Sequence, residues 1–397
     1  MIDFQLTDEQ EQMRQLAHRF AEREIRPLAA EYDESEETPW PVMQKAARVG
    51  LTSYQYPEEY GGGGVTSILT SCLVVEELAW GCLGIATAIV GAGLAAVPIV
   101  IAGTEKQKAR YIPWFCGDEN SPPRRGGREG YKVRLGSFAL TEPEAGSDVA
   151  SIRTTAVRDG DHYVLNGQKR FITHGGIADL YAIFATVNPS LGHQSITAFI
   201  VEADTPGLSA GKKEEKMGMR ACHTGDVILE DVRVPVENRL GEEGEGFYIA
   251  MKSFEHTRPV VAACAVGVAR AAYEYAFQYA QERVQFGKPI IAKQAIRFML
   301  ADMAIEIDAA RLLTWRAAWR ADRGLSCNIQ ASMAKAFAAD MAMQATTNAV
   351  QVLGGYGYMR EYPVEKWMRD AKILQIVEGT SQIQKVIVSQ MLAMGME

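Results

Sequence analysis

Apolar positions recur at helical spacing from Thr7 to about Gly117. The stretch TDEQEQMRQLAHRFAEREIRPLAAEYD opens with Thr7, a favoured N-cap residue, and Gln10 stands three residues later, as in a capping box. Its apolar residues return every three or four positions, which indicates a helix with one buried face. The pattern predicts an α-helical N-terminal domain over residues 1–134.

Between Leu135 and Leu240 the helical period gives way to short runs of β-branched and aromatic residues. Asp159-Gly160 and Asn166-Gly167 each stand between such runs, and these dipeptides are a strong hairpin signal. We expect a hairpin at each of them. The pattern predicts a mostly antiparallel β domain over residues 135–240.

The helical period returns after residue 240 in long apolar-faced segments with short connections. They include VVAACAVGVARAAYEYAFQYAQERVQF, QAIRFMLADMAIEIDAARLLTWRAAWRA and ASMAKAFAADMAMQATTNAVQVLGG. This arrangement predicts an up-and-down four-helix bundle over residues 241–397. The predicted fold class is α+β, with helical, β and helical domains in that order.

Charge and cysteine content narrow the function. The net charge of −8 and a pI near 5.5 argue against nucleic-acid binding, which needs clustered excess Lys and Arg, and favour small-molecule chemistry. The six cysteines form no CxxC pair and no metal-ligand spacing. We expect reduced thiols in a cytoplasmic protein and no metal site.

Two unusual stretches are predicted to be structural. GIATAIVGAGLAAVPIVIAG comes nearest to a membrane span, but its Gly and Ala content and Pro98 favour a buried helix, so no span is expected. ENSPPRRGGREGYKVR, residues 119–134, reads as an inserted linker or surface loop. Its five basic residues are expected to be solvated: Arg124, Arg125, Arg128, Lys132 and Arg134.

Four motifs have one common explanation. They are ALTEPEAGSD (139–148), RFIT (170–173), QVLGGYGYMREYPVEKWMRD (351–370) and VEGTSQIQ (377–384). Together with the domain order, they resemble the acyl-CoA dehydrogenase family, in its medium-chain and short-chain branch. The resemblance covers nearly the whole chain outside residues 119–134.

The resemblance implies FAD-dependent desaturation of a saturated acyl-CoA to the trans-2-enoyl-CoA. This reaction needs a base for the α proton while the β hydride leaves for the flavin, and a carboxylate in a water-poor pocket suits that task. Glu378 matches the family base. Thr257 fills the position at which other branches carry theirs, and Arg258 matches the arginine beside the base.

The resemblance also implies ligand contacts and partners. Phe138, Leu140, Thr141 and Ser147 would line the isoalloxazine and substrate mouth, and Phe171, Ile172 and Thr173 would face the ring. Further FAD contacts fall on Arg283, Gln285, Phe286, Gln294, Gln351, Gly354, Gly355, Thr380 and Gln382. Acyl-CoA contacts fall on Ser147, Glu255, Arg258 and Gly379. The implied partners are an electron-transfer flavoprotein and three further copies of the chain, in a homotetramer built from dimers.

Some choices stay open at this level. Val377 stands where the branch usually has an aromatic residue, and Gln390 stands where relatives carry an arginine towards the CoA phosphates. The small residues of GAGLAAVP (91–98) are a possible floor for the acyl tail. Straight short to medium acyl chains are expected, with branched short chains as the alternative. An oxygen-using acyl-CoA oxidase and a non-catalytic relative are the competing functions.

Overall fold

The computed structural model describes residues 5–117 and 133–395. The N-terminal helices are α1 (Asp8–Phe20), α2 (Ala29–Ser35), α3 (Trp40–Arg48), α4 (Ile68–Gly81), α5 (Leu83–Val90), α6 (Ala96–Ala102) and α7 (Glu105–Tyr111). The sheet strands are β1 (Gly136–Ala139), β2 (Thr155–Asp159), β3 (His162–Thr173), β4 (Leu180–Thr186), β5 (Ile196–Glu202), β6 (Leu208–Lys213), β7 (Thr224–Pro235) and β8 (Arg239–Leu240). The C-terminal elements are α8 (Gly246–Glu282), β9 (Val284–Gln285), β10 (Lys288–Pro289), α9 (Gln294–Asp322), α10 (Asn328–Leu353), α11 (Val364–Ala371) and α12 (Ser381–Ala393). The predicted order of helices, strands and helices is confirmed.

The first helix begins as its sequence predicts. Thr7 Oγ1 accepts from the backbone N–H of Gln10 at 3.2 Å, and Gln10 Oε1 accepts from that of Thr7 at 3.0 Å. The helical pattern beyond Phe20 is divided by a π-helical turn and a 3-10 turn that contains Pro27. Proline has no N–H to donate along the helix, so the chain bends before α2 begins.

The apolar segment at residues 84–103 is mostly buried, but the expectation of one helix there is wrong. α5 ends at Val90 and α6 begins at Ala96, because a glycine-containing turn separates them. Among the described residues, α8 is the helix long and apolar enough to cross a bilayer, and 61% of its most apolar window is buried inside the protein. That burial is what a core helix shows.

Strands β1 to β8 form one mixed sheet, in the order β6-β7-β3-β2-β4-β5-β8, with β1 paired to β4. Most pairs are antiparallel, as predicted, but β4 runs parallel to both β1 and β2. The hairpin at Asp159-Gly160 is confirmed, since Asp159 pairs with His162 across the turn.

The second predicted hairpin, at Asn166-Gly167, is wrong. Both residues lie inside β3, where the pairing with β7 shifts register between Leu165 and Gly167. A Cβ on Gly167 would stand 2.6 Å from Thr154 Oγ1, so glycine is required there by close approach. The Asn166 side chain accepts from the backbone N–H of Asp231 at 2.8 Å, which fixes it across the sheet instead of in a turn.

The C-terminal helices form the predicted bundle, in which α10 packs against α8, α9 and α12. Helix α4 from the N-terminal domain packs along α8, so the two helical domains share a core. A buried charge cluster joins them: Glu76 accepts from Arg270 at 2.9 Å and from Arg311 at 2.8 Å.

The basic residues of the insertion divide into two groups. Arg134 is 5% exposed, and its guanidinium stands 4.0 Å from the Trp114 ring centre, so its expected solvation is wrong. Stacking on an aromatic face gives the charge a partner without water. Arg124, Arg125, Arg128 and Lys132 lie outside the described residues. All six cysteines are free thiols, as predicted.

Candidate active site

Glu378 lies in the turn that leads into α12. Its φ is 55° and that of Gly379 is 86°, so two consecutive residues adopt the left-handed conformation. Thr380 then caps α12 by accepting from the backbone N–H of Ile383 at 3.1 Å. This local geometry turns the chain sharply and leaves the Glu378 side chain beside α8.

The carboxylate of Glu378 meets Thr257 rather than Arg258. Thr257 Oγ1 donates to Glu378 Oε2 at 2.8 Å. Arg258 is buried and donates to Asn328 Oδ1 at 3.0 Å, so its influence on Glu378 is electrostatic. Burial raises the pKa of Glu378, and the Thr257 hydrogen bond and the charges of Arg258 and Lys335 oppose that rise. A carboxylate with raised proton affinity is suited to general-base chemistry.

A narrow cavity opens beside the carboxylate. Its lining residues come from all three domains: Leu94, Val97, Phe138, Ser253, Phe254, Thr257 and Glu378. Its volume is about 10 Å³, the size that holds about one water molecule. The GAGLAAVP stretch thus contributes two wall residues, whereas Val377 is 37% exposed and does not line this cavity.

Phe138 connects this cavity to the β domain. Its ring centre stands 5.5 Å from that of Phe254 and 4.7 Å from that of Phe184. The aromatic wall therefore joins β1, β4 and α8 at the mouth of the carboxylate pocket.

Two of the sequence motifs meet at this end of the sheet. The backbone N–H of Arg170 donates to Thr141 O at 2.9 Å, which ties RFIT to TEPEAGSD. The buried Lys169 ammonium donates to Leu140 O at 3.1 Å and to Glu142 Oε1 at 2.6 Å. These bonds fix the loop that carries the predicted flavin contacts.

The predicted flavin-facing residues differ in exposure. Phe171 has a φ of 58° and is 57% exposed, Ile172 is buried, and Thr173 is half-buried with its carbonyl accepting from Ser137 Oγ at 2.7 Å. Ser147 is exposed in the loop after Glu142. A planar ring could lie against this surface because Phe171 projects from it.

The other predicted cofactor residues lie elsewhere. Arg283, Gln285, Gly354 and Gly355 line a second cavity of about 540 Å³, which shares no lining residue with the first. Phe286 is 91% exposed, and Gln294 and Gln351 are exposed, on the elements that border it. Gly379 and Thr380 follow Glu378 directly, and Gln382 is exposed in the first turn of α12. Glu255 lies two residues before Thr257 on α8, with its carboxylate 3.6 Å from the Lys252 ammonium.

Sequence reasoning missed two residues at the Glu378 turn. Lys335 Nζ donates to Gly379 O at 2.7 Å, and Gln384 Nε2 donates to Glu378 O at 2.9 Å. Both side chains are fully buried. The sequence signal for Lys335 is a single lysine inside the Ala-rich stretch MAKAFAAD. A lysine in a helix ordinarily indicates an exposed position, so this signal does not predict burial. Among residues 5–117 and 133–395, the acidic, histidine and cysteine side chains form no cluster of three that could hold a metal ion.

Three family models match the chain. The acyl-CoA dehydrogenase N-terminal domain matches residues 7–119, the middle domain residues 137–232 and the C-terminal domain residues 244–393. A short-chain-specific acyl-CoA dehydrogenase of Clostridium acetobutylicum is 44% identical, over 98% of this chain and 99% of the relative.

Solved structures agree with the family models. Butyryl-CoA dehydrogenase from Megasphaera elsdenii superposes with a TM-score of 0.92 and is 43% identical, over 99% of this chain and all of that one. A chain in the structure of the electron transferring flavoprotein of Acidaminococcus fermentans superposes with a TM-score of 0.92 and is 43% identical, over 98% of this chain and 99% of that one. A chain of PigA, solved with FAD and proline, superposes with a TM-score of 0.91 and is 28% identical, over 99% of this chain and all of that one. The chain belongs to the acyl-CoA dehydrogenase family.

Proposed function

We propose that this protein is an FAD-dependent acyl-CoA dehydrogenase that converts a short saturated acyl-CoA to the trans-2-enoyl-CoA. The carrying observation is the carboxylate of Glu378, which lies in a narrow cavity that Phe138 also lines and whose pKa is raised by burial. Relatives named as short-chain-specific and butyryl-CoA dehydrogenases support the substrate class.

The chain supplies the base, its orientation and a dry site. Glu378 takes the α proton on its carboxylate, which Thr257 holds at 2.8 Å. By resemblance to the family, the backbone N–H of Glu378 would donate to the thioester oxygen, where negative charge develops. Bound FAD supplies the hydride acceptor. Phe138 and Phe254 keep water from the reacting carbons, and water exclusion strengthens the electrostatic terms inside the site.

The substrate class is supported by the named relatives, because the cavity beside Glu378 holds about one water molecule and has to widen for any acyl chain. Leu94 and Val97 close one side and the two phenylalanine rings close the other, leaving about 10 Å³ free. A longer tail needs more of these side chains to move than a short one does. Branched short chains are the second substrate candidate, because Val377 stands where the branch usually has an aromatic residue.

The predicted FAD contacts form two separate sets, which supports a flavin site shared between two copies of the chain. One set is the surface of Phe138, Leu140, Thr141, Ser147, Phe171, Ile172 and Thr173, together with Thr380 and Gln382. The other set borders the cavity of about 540 Å³, where Arg283 offers a planar fork suited to phosphate. We infer that each flavin uses one set from each of two copies of the chain, within a homotetramer.

An exposed apolar stripe on α9 supports this assembly. Phe298, Ile305, Leu312 and Trp319 recur every seven residues and are 60%, 66%, 40% and 43% exposed. Such a stripe indicates an interface, because a/d-type spacing brings apolar side chains to one helix face. Ile305→Glu should lower the mass measured by light scattering, whereas Val157→Glu, at an exposed strand position, should not. An unchanged mass for the α9 variant would contradict the interface.

The remaining assignments follow from the family. The electron acceptor is an electron-transfer flavoprotein, the location is the cytoplasm, and the domains span residues 1–134, 135–240 and 241–397. The match to a chain solved with an electron transferring flavoprotein supports the acceptor. The free, mostly buried thiols are consistent with a reducing compartment.

The test is an anaerobic titration of the purified yellow protein with saturated acyl-CoAs, short to long and including branched ones. We expect short chains to bleach the flavin fastest. Glu378→Gln should keep FAD and bind acyl-CoA but lose flavin reduction, while Glu230→Gln, at an exposed glutamate, should behave as wild type. Substantial reduction by Glu378→Gln would remove Glu378 as the base.

A further inference from the structure

The turn that carries Glu378 is held in an unfavourable backbone conformation. Glu378 has a φ of 55°, and a residue with a Cβ pays about 1–2 kcal/mol in the left-handed region. Such conformations persist where surrounding contacts determine them. The contacts at this turn therefore decide where the carboxylate points.

Two buried side chains hold the two carbonyl groups of the turn. Gln384 Nε2 donates to Glu378 O at 2.9 Å and to Gly379 O at 3.1 Å. Lys335 Nζ donates to Gly379 O at 2.7 Å, the shortest of the three bonds. Gly379 O thus accepts from both side chains, and the lysine bond is charge-assisted.

A lysine at position 335 has a large desolvation cost. It is 0% exposed on α10, and burying an ammonium without a close carboxylate costs several kcal/mol. Its charged surroundings are Glu378, Arg258 and Asp340. Asp340 is already bound by Gln375 at 2.7 Å, by Ser381 at 3.0 Å and by Lys385 at 3.0 Å.

Electrostatics point the same way as the hydrogen bonds. Burial lowers the pKa of Lys335 to about 8, and Glu378 opposes that change by raising it. In return, the Lys335 charge lowers the pKa of Glu378. A methionine would fill the same space on α10 without the desolvation cost, so the ammonium has a use at this site.

We propose that Lys335 is a positioning residue for Glu378: its ammonium fixes the left-handed turn at Gly379 and places a positive charge near the ionised base. The inference rests on the proposed function, and it concerns a residue that none of the four motifs contains. Lys335 does not line the cavity, so it acts through the turn and not on the substrate.

The test variant is Lys335→Met, measured as holoprotein across pH by steady-state turnover, which gives kcat and KM, and by anaerobic flavin reduction. We expect kcat to fall about tenfold or more with KM nearly unchanged, and the acid limb of kcat to move to higher pH. Lys335→Arg, which keeps the charge and the donors, should recover much of the rate. A purely structural role would lower FAD content or Tm without moving the acid limb.

Lys216→Met is the matched control. Lys216 is a half-buried lysine that also donates to a backbone carbonyl, Cys222 O, at 2.8 Å. The proposal is overturned when Lys335→Met matches this control in both kcat and acid limb. If Lys335→Met does not accumulate with FAD, Lys335→Gln is measured instead. A shift of the acid limb of kcat to higher pH in Lys335→Gln supports the role of the ammonium charge, and an unchanged acid limb overturns the proposal.

A parallel measurement on Glu378→Gln separates the two levels of inference. An inactive Glu378→Gln together with a normal Lys335→Met would remove only the role of Lys335. An active Glu378→Gln would remove the base assignment itself, and the role of Lys335 would fall with it.

Discussion

Replacing Thr257 by valine should change the proton affinity of the base while leaving its surroundings in place. Valine has nearly the shape of threonine but no hydroxyl, so the 2.8 Å hydrogen bond to Glu378 Oε2 is lost. That bond lowers the pKa of Glu378 because the hydroxyl donates to the ionised carboxylate. Its removal favours the protonated form.

The size of the effect follows from the type of bond. A hydrogen bond to a charged group contributes about 1.5–3 kcal/mol, and about 1.4 kcal/mol corresponds to one pKa unit. The acid limb of flavin reduction should therefore move up by about one to two pH units. On that limb the rate falls by about ten- to a hundredfold, because less of the base is ionised. At alkaline pH the two rates should converge.

The assay is single-turnover bleaching of the flavin by a short acyl-CoA, followed anaerobically in a stopped-flow instrument at a series of pH values. Thr314→Val is the matched control. Thr314 is buried in α9, whereas Thr257 is half-buried, and the Thr314 hydroxyl donates to Ala310 O at 2.8 Å within its own helix. The control should keep the wild-type acid limb.

One outcome would refute the reasoning. If Thr257→Val and Thr314→Val share the wild-type acid limb and both retain FAD, the Thr257 hydroxyl does not tune the base. The raised proton affinity of Glu378 would then be set by burial and by the neighbouring charges alone.

Two further predictions concern the backbone and the flavin loop. Gly379→Ala places a Cβ 2.5 Å from Gln384 Nε2, so it should lower both Tm and flavin reduction more than Gly50→Ala, which has a similar φ of 80° and open space around it. Glu142→Gln or Lys169→Met should each destabilise the protein by about 3–5 kcal/mol in denaturant unfolding, because each leaves a buried charge without its opposite charge. The double variant should be more stable than either single one, and equal stabilities would contradict this account.

The sequence predicted most of what depends on local pattern. The domain order, the capping box at Thr7 and the hairpin at Asp159 all follow from side-chain periodicity and turn chemistry. Asn166-Gly167 has the same local chemistry as a hairpin turn but lies within a strand. The difference comes from tertiary contacts with Thr154 and Asp231, which no local pattern contains.

The site divides in the same way. The motifs predict Glu378, but they identify Thr257 only as the position at which other branches of the family carry their base. Its contact with Glu378 joins positions 121 residues apart, so it appears only once α8 and α12 are placed. Lys335 lies in none of the four motifs. Its role depends on its burial, and the alanine-rich helix pattern around it does not reveal that burial.

The composition of the cavity wall has a consequence for synthesis. Leu94, Phe138, Thr257 and Glu378 meet there although they come from separate parts of the chain. Chains generally fold domain by domain as they leave the ribosome. The helices around Leu94 and the sheet around Phe138 can therefore be folded while the pocket still lacks its base. The pocket gains its base only when the chain near residue 378 has folded. A nascent or truncated chain that ends before residue 378 can therefore be partly folded and still carry out no dehydrogenation.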